Sequence, residues 1–150
     1  MIFISCSAIA QKEMDTTVKR CPVFITDTSG YNNYFLEFQP ATIRVERVKG
    51  NLNIVVQQKD QFFSLFFGIK HLEEKKYKIQ TNARSKSEVA AKYSFRSGNE
   101  VSYVTVTSGN VEASFSKKTN LWNIKINGLL SNYVGRSISY FKMKADFYIQ

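Results

Sequence analysis

Apolar and polar residues alternate along most of this chain, most clearly near its C-terminus. Alternate residues of a β-strand point to opposite faces of the sheet, so this period predicts strands that each bury one face. One face of the last segment carries Phe141, Met143, Ala145, Phe147 and Ile149, and the other carries Tyr140, Lys142, Lys144, Asp146 and Tyr148. The same period recurs in residues 43–45, 52–56 and 122–126. Residues 61–69 fit a strand or a helix, and we favour a strand because bulky aromatic residues are common in strands.

Glycine–asparagine pairs separate several of these segments. Gly50-Asn51, Gly98-Asn99 and Gly109-Asn110 each follow one strand-like segment and precede another. Such pairs can adopt the positive φ that tight hairpin turns need, so each pair predicts a hairpin. Residues 28–30 and 117–120 indicate two further turns.

One segment has a helical signal. Ser85 and Glu88 have the spacing of a capping box and precede the sequence Val89-Ala90-Ala91-Lys92, which allows one short helical turn. We therefore predict an all-β fold, an antiparallel meander of about nine or ten strands with at most one or two short helical turns. Alternation fits a β-sandwich and a flattened barrel equally well, so both remain open.

Length and composition indicate one globular domain. The 150 residues include 43% hydrophobic and 14% aromatic residues, enough for a substantial core. We assign residues 23–150 to a single β domain and residues 11–22 to an N-terminal extension.

The first ten residues resemble the end of an export signal. They carry no charge, and Ala8-Ile9-Ala10 is a small-x-small triplet of the kind that signal peptidase accepts. Phe3-Ile4-Ser5-Cys6 also resembles a lipobox, which would make Cys6 the site of lipid attachment. A third interpretation is an N-terminal strand with Cys6 buried. We expect export to the periplasm, the outer membrane or the medium, with membrane contact only through a lipid on Cys6, and cleavage and lipidation both remain open.

The chain is strongly basic, with a formal net charge of +9 and a pI near 9.6. Such a charge attracts anions over long distances. Tyr140, Lys142, Lys144 and Tyr148 share one face of the last strand, and interleaved aromatic and cationic residues can bind an anionic partner. The alternative is an ordinary solvated strand face whose lysines discourage edge pairing. An anionic envelope component or protein is the partner we consider, and we do not expect nucleic acid.

Catalytic signals are scarce. His71 is the single histidine, beside a charged segment, and we interpret it as a surface residue. Motifs for nucleophilic catalysis, zinc binding or phosphate binding are missing from the sequence, so we expect no catalytic residue, no metal and no cofactor. The leading hypothesis is a non-catalytic, secreted or envelope-associated binding module. The alternative is a carrier of a lipid or other apolar ligand in a barrel cavity, and an enzyme of unknown class is third.

The second half of the chain resembles a group of small exported β-domain proteins and lipoproteins of unknown function from Bacteroidota. The resemblance rests on Lys76-Tyr77-Lys78-Ile79, the segment at Gly109, Ile126-Asn127-Gly128-Leu129 and the closing strand Ala145–Ile149. It implies an envelope location and an all-β fold, and it implies no activity.

Overall fold

All of the regular structure in the part of the chain that the structure describes is β-sheet. The computed structural model describes residues 14–19, 23–27, 40–134 and 136–150. The strands are β1 (Met14–Val18), β2 (Val23–Asp27), β3 (Ala41–Val48), β4 (Asn51–Gln58), β5 (Gln61–Phe67), β6 (Lys75–Ile79), β7 (Glu88–Ser97), β8 (Glu100–Ser116), β9 (Leu121–Val134) and β10 (Ser137–Ile149). No helix occurs within these described ranges, so the all-β class and the expected number of strands are confirmed.

All ten strands belong to one sheet in the order β1-β3-β4-β5-β7-β6-β8-β9-β10-β2. Neighbouring strands are antiparallel except β6 and β7, which run parallel over only two residue pairs, so the sheet is mixed. The parallel pair arises because β7 and β8 are long and diverge. Their hairpin ends pair directly, through residues 92–97 and 100–105, whereas β6 lies between them further along.

Most of the predicted turns form. Lys49 (φ 50°) and Gly50 (φ 81°) make the two-residue turn between β3 and β4, so the turn lies one residue before the predicted pair and Asn51 already begins β4. Gly98-Asn99 joins β7 to β8 as predicted, with Gly98 at φ 60°. Lys117–Asn120 forms the predicted loop between β8 and β9. Positive φ at the first central positions is what primed hairpin turns require.

The hairpin predicted at Gly109-Asn110 is wrong, because both residues lie inside β8. Gly109 faces Gly128 of β9 and has φ 126°. A Cβ atom on Gly109 would overlap the carbonyl oxygen of Asn127. Glycine is therefore needed here for a close approach of two backbones and not for a turn. The sequence signal is the same in both cases, because it does not show that the residues on both sides of Gly109 pair with one strand, β9.

A β-bulge at Thr107 explains why β8 does not alternate regularly along its length. The register with β9 shifts between Val106 and Ser108, and the Thr107 hydroxyl donates a hydrogen bond of 3.1 Å to the carbonyl oxygen of Leu129. The extra residue reverses the alternation. Val106 and Val111 consequently both face the core, although they are five residues apart.

The helical turn allowed at residues 85–92 does not form. The Glu88 carboxylate accepts hydrogen bonds from the backbone N–H groups of Arg84 (2.8 Å) and Ser85 (3.1 Å), much as in a capping box. The chain nevertheless makes a single β-turn, closed by a 3.2 Å bond from the Glu88 N–H to the Ser85 carbonyl. Val89 and Ala91 then enter β7 with fully buried side chains, because packing against the core outweighs the local helical preference.

The side chains on one face of the sheet form the core, and we call this face the inner face and the opposite one the outer face. Its largest fully buried side chains include Phe63, Leu65, Phe67, Tyr77 and Ile124. A single sheet can bury one face only by curling over it. The strands at the two edges, β1 and β2, are five peptide steps apart at Val18 and Val23, so these residues are at most about 18 Å apart. No pairing among the described residues joins the two edges, and the sheet is not closed into a barrel.

The N-terminal predictions lie largely beyond the described ranges. Residues 1–13, which include Cys6 and the export-like segment, are outside them, as is the turn predicted at residues 28–30. Met14–Val18 belongs to the segment that we assigned to an extension, and it pairs with β3 as the edge strand β1.

Candidate functional site

The last strand has the orientation that alternation predicts. Met143, Phe147 and Ile149 are at most 4% exposed on the inner face. Lys142 and Lys144 are exposed on the opposite, outer face. Tyr140 and Tyr148 are also exposed on the outer face, at 45% and 57%.

The two lysines lie in a shallow groove on the outer face, which we call the basic groove. It has a volume of about 610 Å³ and is lined by Phe24, Thr26, Lys125, Ile126, Asn127, Lys142, Lys144, Ala145 and Asp146. The sheet brings these residues together because β10 lies between β2 and β9. Tyr140 and Tyr148 do not line the groove. They lie on either side of the two lysines along β10, about 27 Å apart over eight residue steps of strand. The four predicted residues therefore form a band along β10 with only the lysines in the groove.

A row of alternating charges crosses the outer face and ends in this groove, where Lys125 and Asp146 belong to both. Lys76, Glu112, Lys125 and Asp146 are consecutive cross-strand neighbours on β6, β8, β9 and β10. Lys125 Nζ is 4.0 Å from Asp146 Oδ2, and the Asn123 amide donates a 2.7 Å hydrogen bond to Asp146 Oδ1. Oppositely charged cross-strand neighbours of this kind stabilise a sheet modestly.

Lys142 and Lys144 have no such compensation. Their cross-strand neighbours are Thr26 and Leu129 for Lys142, and Phe24 and Asn127 for Lys144. Among the residues that the structure describes, neither lysine forms an ion pair. Lys142 and Lys144 are therefore two cations without a carboxylate opposite them on the β10–β2 side of the outer face.

A second cavity opens at one end of the inner face, and we call it the mouth. Its volume is about 580 Å³, and its lining residues are Ile25, Lys59, Asp60, Gln61, Tyr93, Phe95, Arg96, Val104, Leu130 and Phe141. Ile25, Tyr93 and Leu130 form a buried floor, with exposures of 2%, 8% and 1%. Phe95, 36% exposed, lies nearer the opening. The mouth is thus a concave apolar surface continuous with the core.

Hydrogen bonds hold the polar part of the mouth in place. The Tyr93 hydroxyl donates a 2.7 Å hydrogen bond to Gln61 Oε1, which links β7 to β5. The Arg96 N–H donates a 2.8 Å hydrogen bond to the Asp60 carbonyl oxygen. This second bond fixes β7 against the two-residue turn, Lys59 and Asp60, that joins β4 to β5.

The amino-acid sequence does not predict the mouth. Alternation places Phe63, Tyr93 and Val104 on buried faces of separate strands, but only the register makes them neighbours in one row. Gln61 and Phe95 form the next row toward the end of the sheet. No local pattern predicts that the core stays open at this row.

Three further observations on the described residues concern other kinds of function. No group of three His, Cys, Asp or Glu side chains in the described ranges could hold a metal ion. His71, the single imidazole, is exposed between β5 and β6. In the same ranges, no helix is long and apolar enough to cross a membrane.

Comparisons with known proteins add no relative. No protein-family model, curated protein or solved structure matches the chain. The resemblance to exported β-domain proteins of Bacteroidota stays a prediction, as do export and lipidation of Cys6.

Proposed function

We propose that this chain is a non-catalytic binding protein that holds an apolar ligand in the mouth. The observation that carries the proposal is a cavity of about 580 Å³ whose apolar floor is formed by the buried residues Ile25, Tyr93 and Leu130. Sites for small molecules are concave, mostly apolar and about 300–1,000 Å³ in volume. The large aromatic content supports the same function, because Tyr93, Phe95 and Phe141 supply much of the lining.

The mouth is a better ligand site than the basic groove for a physical reason. An apolar ligand that enters the mouth moves from water onto an apolar surface that is continuous with the core. Burial of apolar area is the main source of affinity for such a ligand. The groove presents Lys125, Lys142 and Lys144 to solvent, where charges are well hydrated and each contact is weak.

A blocking variant tests the proposal. Val104 lines the mouth, so Val104→Trp should place an indole ring in it and weaken binding of a fluorescent acyl-chain probe. Val48→Trp is the matched control, because Val48 is 44% exposed at the turn between β3 and β4, at the other end of the sheet. The control should bind the probe like the parent protein. Equal binding by the parent and by a folded Val104→Trp variant would contradict the proposal, as would the absence of probe binding and of any co-purified ligand in native mass spectrometry of the parent.

The second candidate function is binding of an anionic envelope component or protein at the basic groove. It is favoured by Lys142 and Lys144, which have no carboxylate opposite them. Vesicles that contain an anionic phospholipid provide a test at low salt. Lys142→Ala with Lys144→Ala should weaken binding and reduce its salt dependence. Lys117→Ala with Lys118→Ala removes the same charge from the loop between β8 and β9. Equal losses in the two double variants would mean attraction to net charge without a site.

We also propose export from the cytoplasm, which rests on the sequence of residues 1–10. The test is fractionation of cells that express the gene with its native upstream region. An envelope or secreted product processed near Ala10, or acylated at Cys6, is the expected result. A purely cytosolic product with an intact N-terminus would contradict export.

A further inference from the structure

We infer that the ligand of the mouth is an anionic amphiphile, a molecule with one acyl chain and a carboxylate or phosphate head. This inference rests on the proposed function and specifies its ligand class. It comes from the uneven distribution of charge around the mouth.

The two sides of the mouth differ in chemistry. The lining residues on β2, β8, β9 and β10 are all apolar, namely Ile25, Val104, Leu130 and Phe141. Every charged lining residue lies on the other side, on β7 or in the turn between β4 and β5. A wholly apolar ligand would form no favourable contact with the charged groups on this side. A ligand with a polar head at one end matches both sides.

The charged side favours an anion. Lys59 and Arg96 provide two cations, and Asp60 provides one carboxylate. Arg96 directly follows Phe95 on β7, so its side chain leaves the backbone toward the outer face, and Arg96 borders the mouth at its rim and not on its floor. The backbone N–H of Arg96 donates a hydrogen bond to the backbone carbonyl oxygen of Asp60. Lys59 precedes Asp60 in the chain, so this bond keeps Lys59 and Arg96 on the same part of the rim.

These cations are available to a ligand. Among the described residues, neither Lys59 nor Arg96 forms an ion pair. Guanidinium groups bind carboxylate and phosphate oxygens through paired, charge-assisted hydrogen bonds. A carboxylate head and a phosphate head share this chemistry. The residual charge of the three side chains is +1, which favours a head with a single negative charge.

The experiment compares four ligands with the same twelve-carbon chain by calorimetry, below the critical micelle concentrations of the three ionic ligands and below the solubility limit of dodecanol. The ligands are dodecanoate, dodecyl phosphate, dodecanol and dodecyltrimethylammonium. We expect one or both anions to bind the parent protein up to about fivefold more tightly than dodecanol, which is the factor that an exposed ion pair supplies. The cation should bind more weakly than dodecanol. Whichever anion binds more tightly identifies the head.

Three rim variants and one control locate the effect. Lys59→Gln and Arg96→Gln should each reduce the preference for the anion over dodecanol, and together they should remove it, with the affinity for dodecanol unchanged. Asp60→Asn should increase affinity for the anion, because it removes the opposing carboxylate. Lys142→Gln on the outer face is the control, and it should leave all four affinities unchanged.

The outcomes separate this inference from the function on which it rests. Equal binding of dodecanol and the anions to the parent would overturn the anionic head and leave an apolar ligand site. The preference for anions could instead persist in the double variant Lys59→Gln with Arg96→Gln and be lost in Lys142→Gln. That result would place the head of the ligand in the basic groove and would also overturn the inference. If no ligand binds the parent, the proposed function and the inference fall together. The comparison of the four ligands uses only the parent protein, so it tests the anionic head even if a variant fails to fold.

Discussion

Replacement of Gly109 by alanine should destabilise this protein more than replacement of any turn glycine in the described ranges. Two costs combine at Gly109. Its φ of 126° lies in a region that L-residues rarely adopt, which costs about 1–3 kcal/mol. The added Cβ would also overlap the Asn127 carbonyl oxygen and lie 2.7 Å from the Gly128 Cα. Both of these atoms belong to the backbone and cannot rotate away, so the two strands must separate. We expect a total loss of about 3 kcal/mol or more, since overpacking alone costs about 1–3 kcal/mol.

Gly50→Ala is the matched control for this prediction. Gly50 also has a positive φ, 81°, but a Cβ at this position meets no atom within 4 Å. Its cost should be only the conformational term of about 1–2 kcal/mol. Urea denaturation, followed by circular dichroism and tryptophan fluorescence, measures both free energies of unfolding. A loss in Gly109→Ala that is no larger than the loss in Gly50→Ala would show that β8 and β9 do not approach closely at this point.

Three further predictions concern the core and the outer face. Phe147→Ala should lower the free energy of unfolding by about 3–5 kcal/mol, measured by urea denaturation, because the ring is 3% exposed. Lys142→Ala with Lys144→Ala should change it by no more than about 0.5 kcal/mol per site in the same assay, and a larger loss would mean that the lysines stabilise the fold. Tyr77→Phe should cost about 1 kcal/mol, because the Tyr77 hydroxyl accepts a hydrogen bond from the Glu73 N–H (2.9 Å) and donates one to the Glu73 carbonyl (3.2 Å). Burial raises the pKa of Tyr77 above its ordinary value, so the folded state keeps the phenol proton where the unfolded state has lost it. Stability that is present below about pH 10 should therefore fall as the pH rises further, and this fall should be smaller in Tyr77→Phe.

Alternation predicted the features of the fold that depend on one strand at a time. The register of β10 follows from period two, because a one-residue slip would bury Lys142 and Lys144 and expose the apolar face. Aromatic density together with period two placed residues 61–69 in a strand, and β5 covers Gln61–Phe67. Turn chemistry predicted the hairpin at Gly98-Asn99 for the equally local reason that glycine tolerates positive φ.

Features that depend on pairing between distant segments could not be predicted. Gly109 carries the same turn signal as Gly98, and only the pairing of β8 with β9 distinguishes them. The insertion of β6 between β7 and β8 depends on where two long strands diverge. The mouth depends on a row of residues from several strands, among them Tyr93 and Val104, whose alternation indicates only that each faces inward.

The position of the ligand decides between the two cavities, and an NMR titration of the labelled protein with dodecanoate measures it. If the ligand occupies the mouth, amide shifts should change first and most at Tyr93, Val104 and Leu130, which line it. Amide signals beside Lys125 and Lys144 in the basic groove should stay in place. Shifts confined to the groove, or no saturable shifts at all, would contradict binding in the mouth.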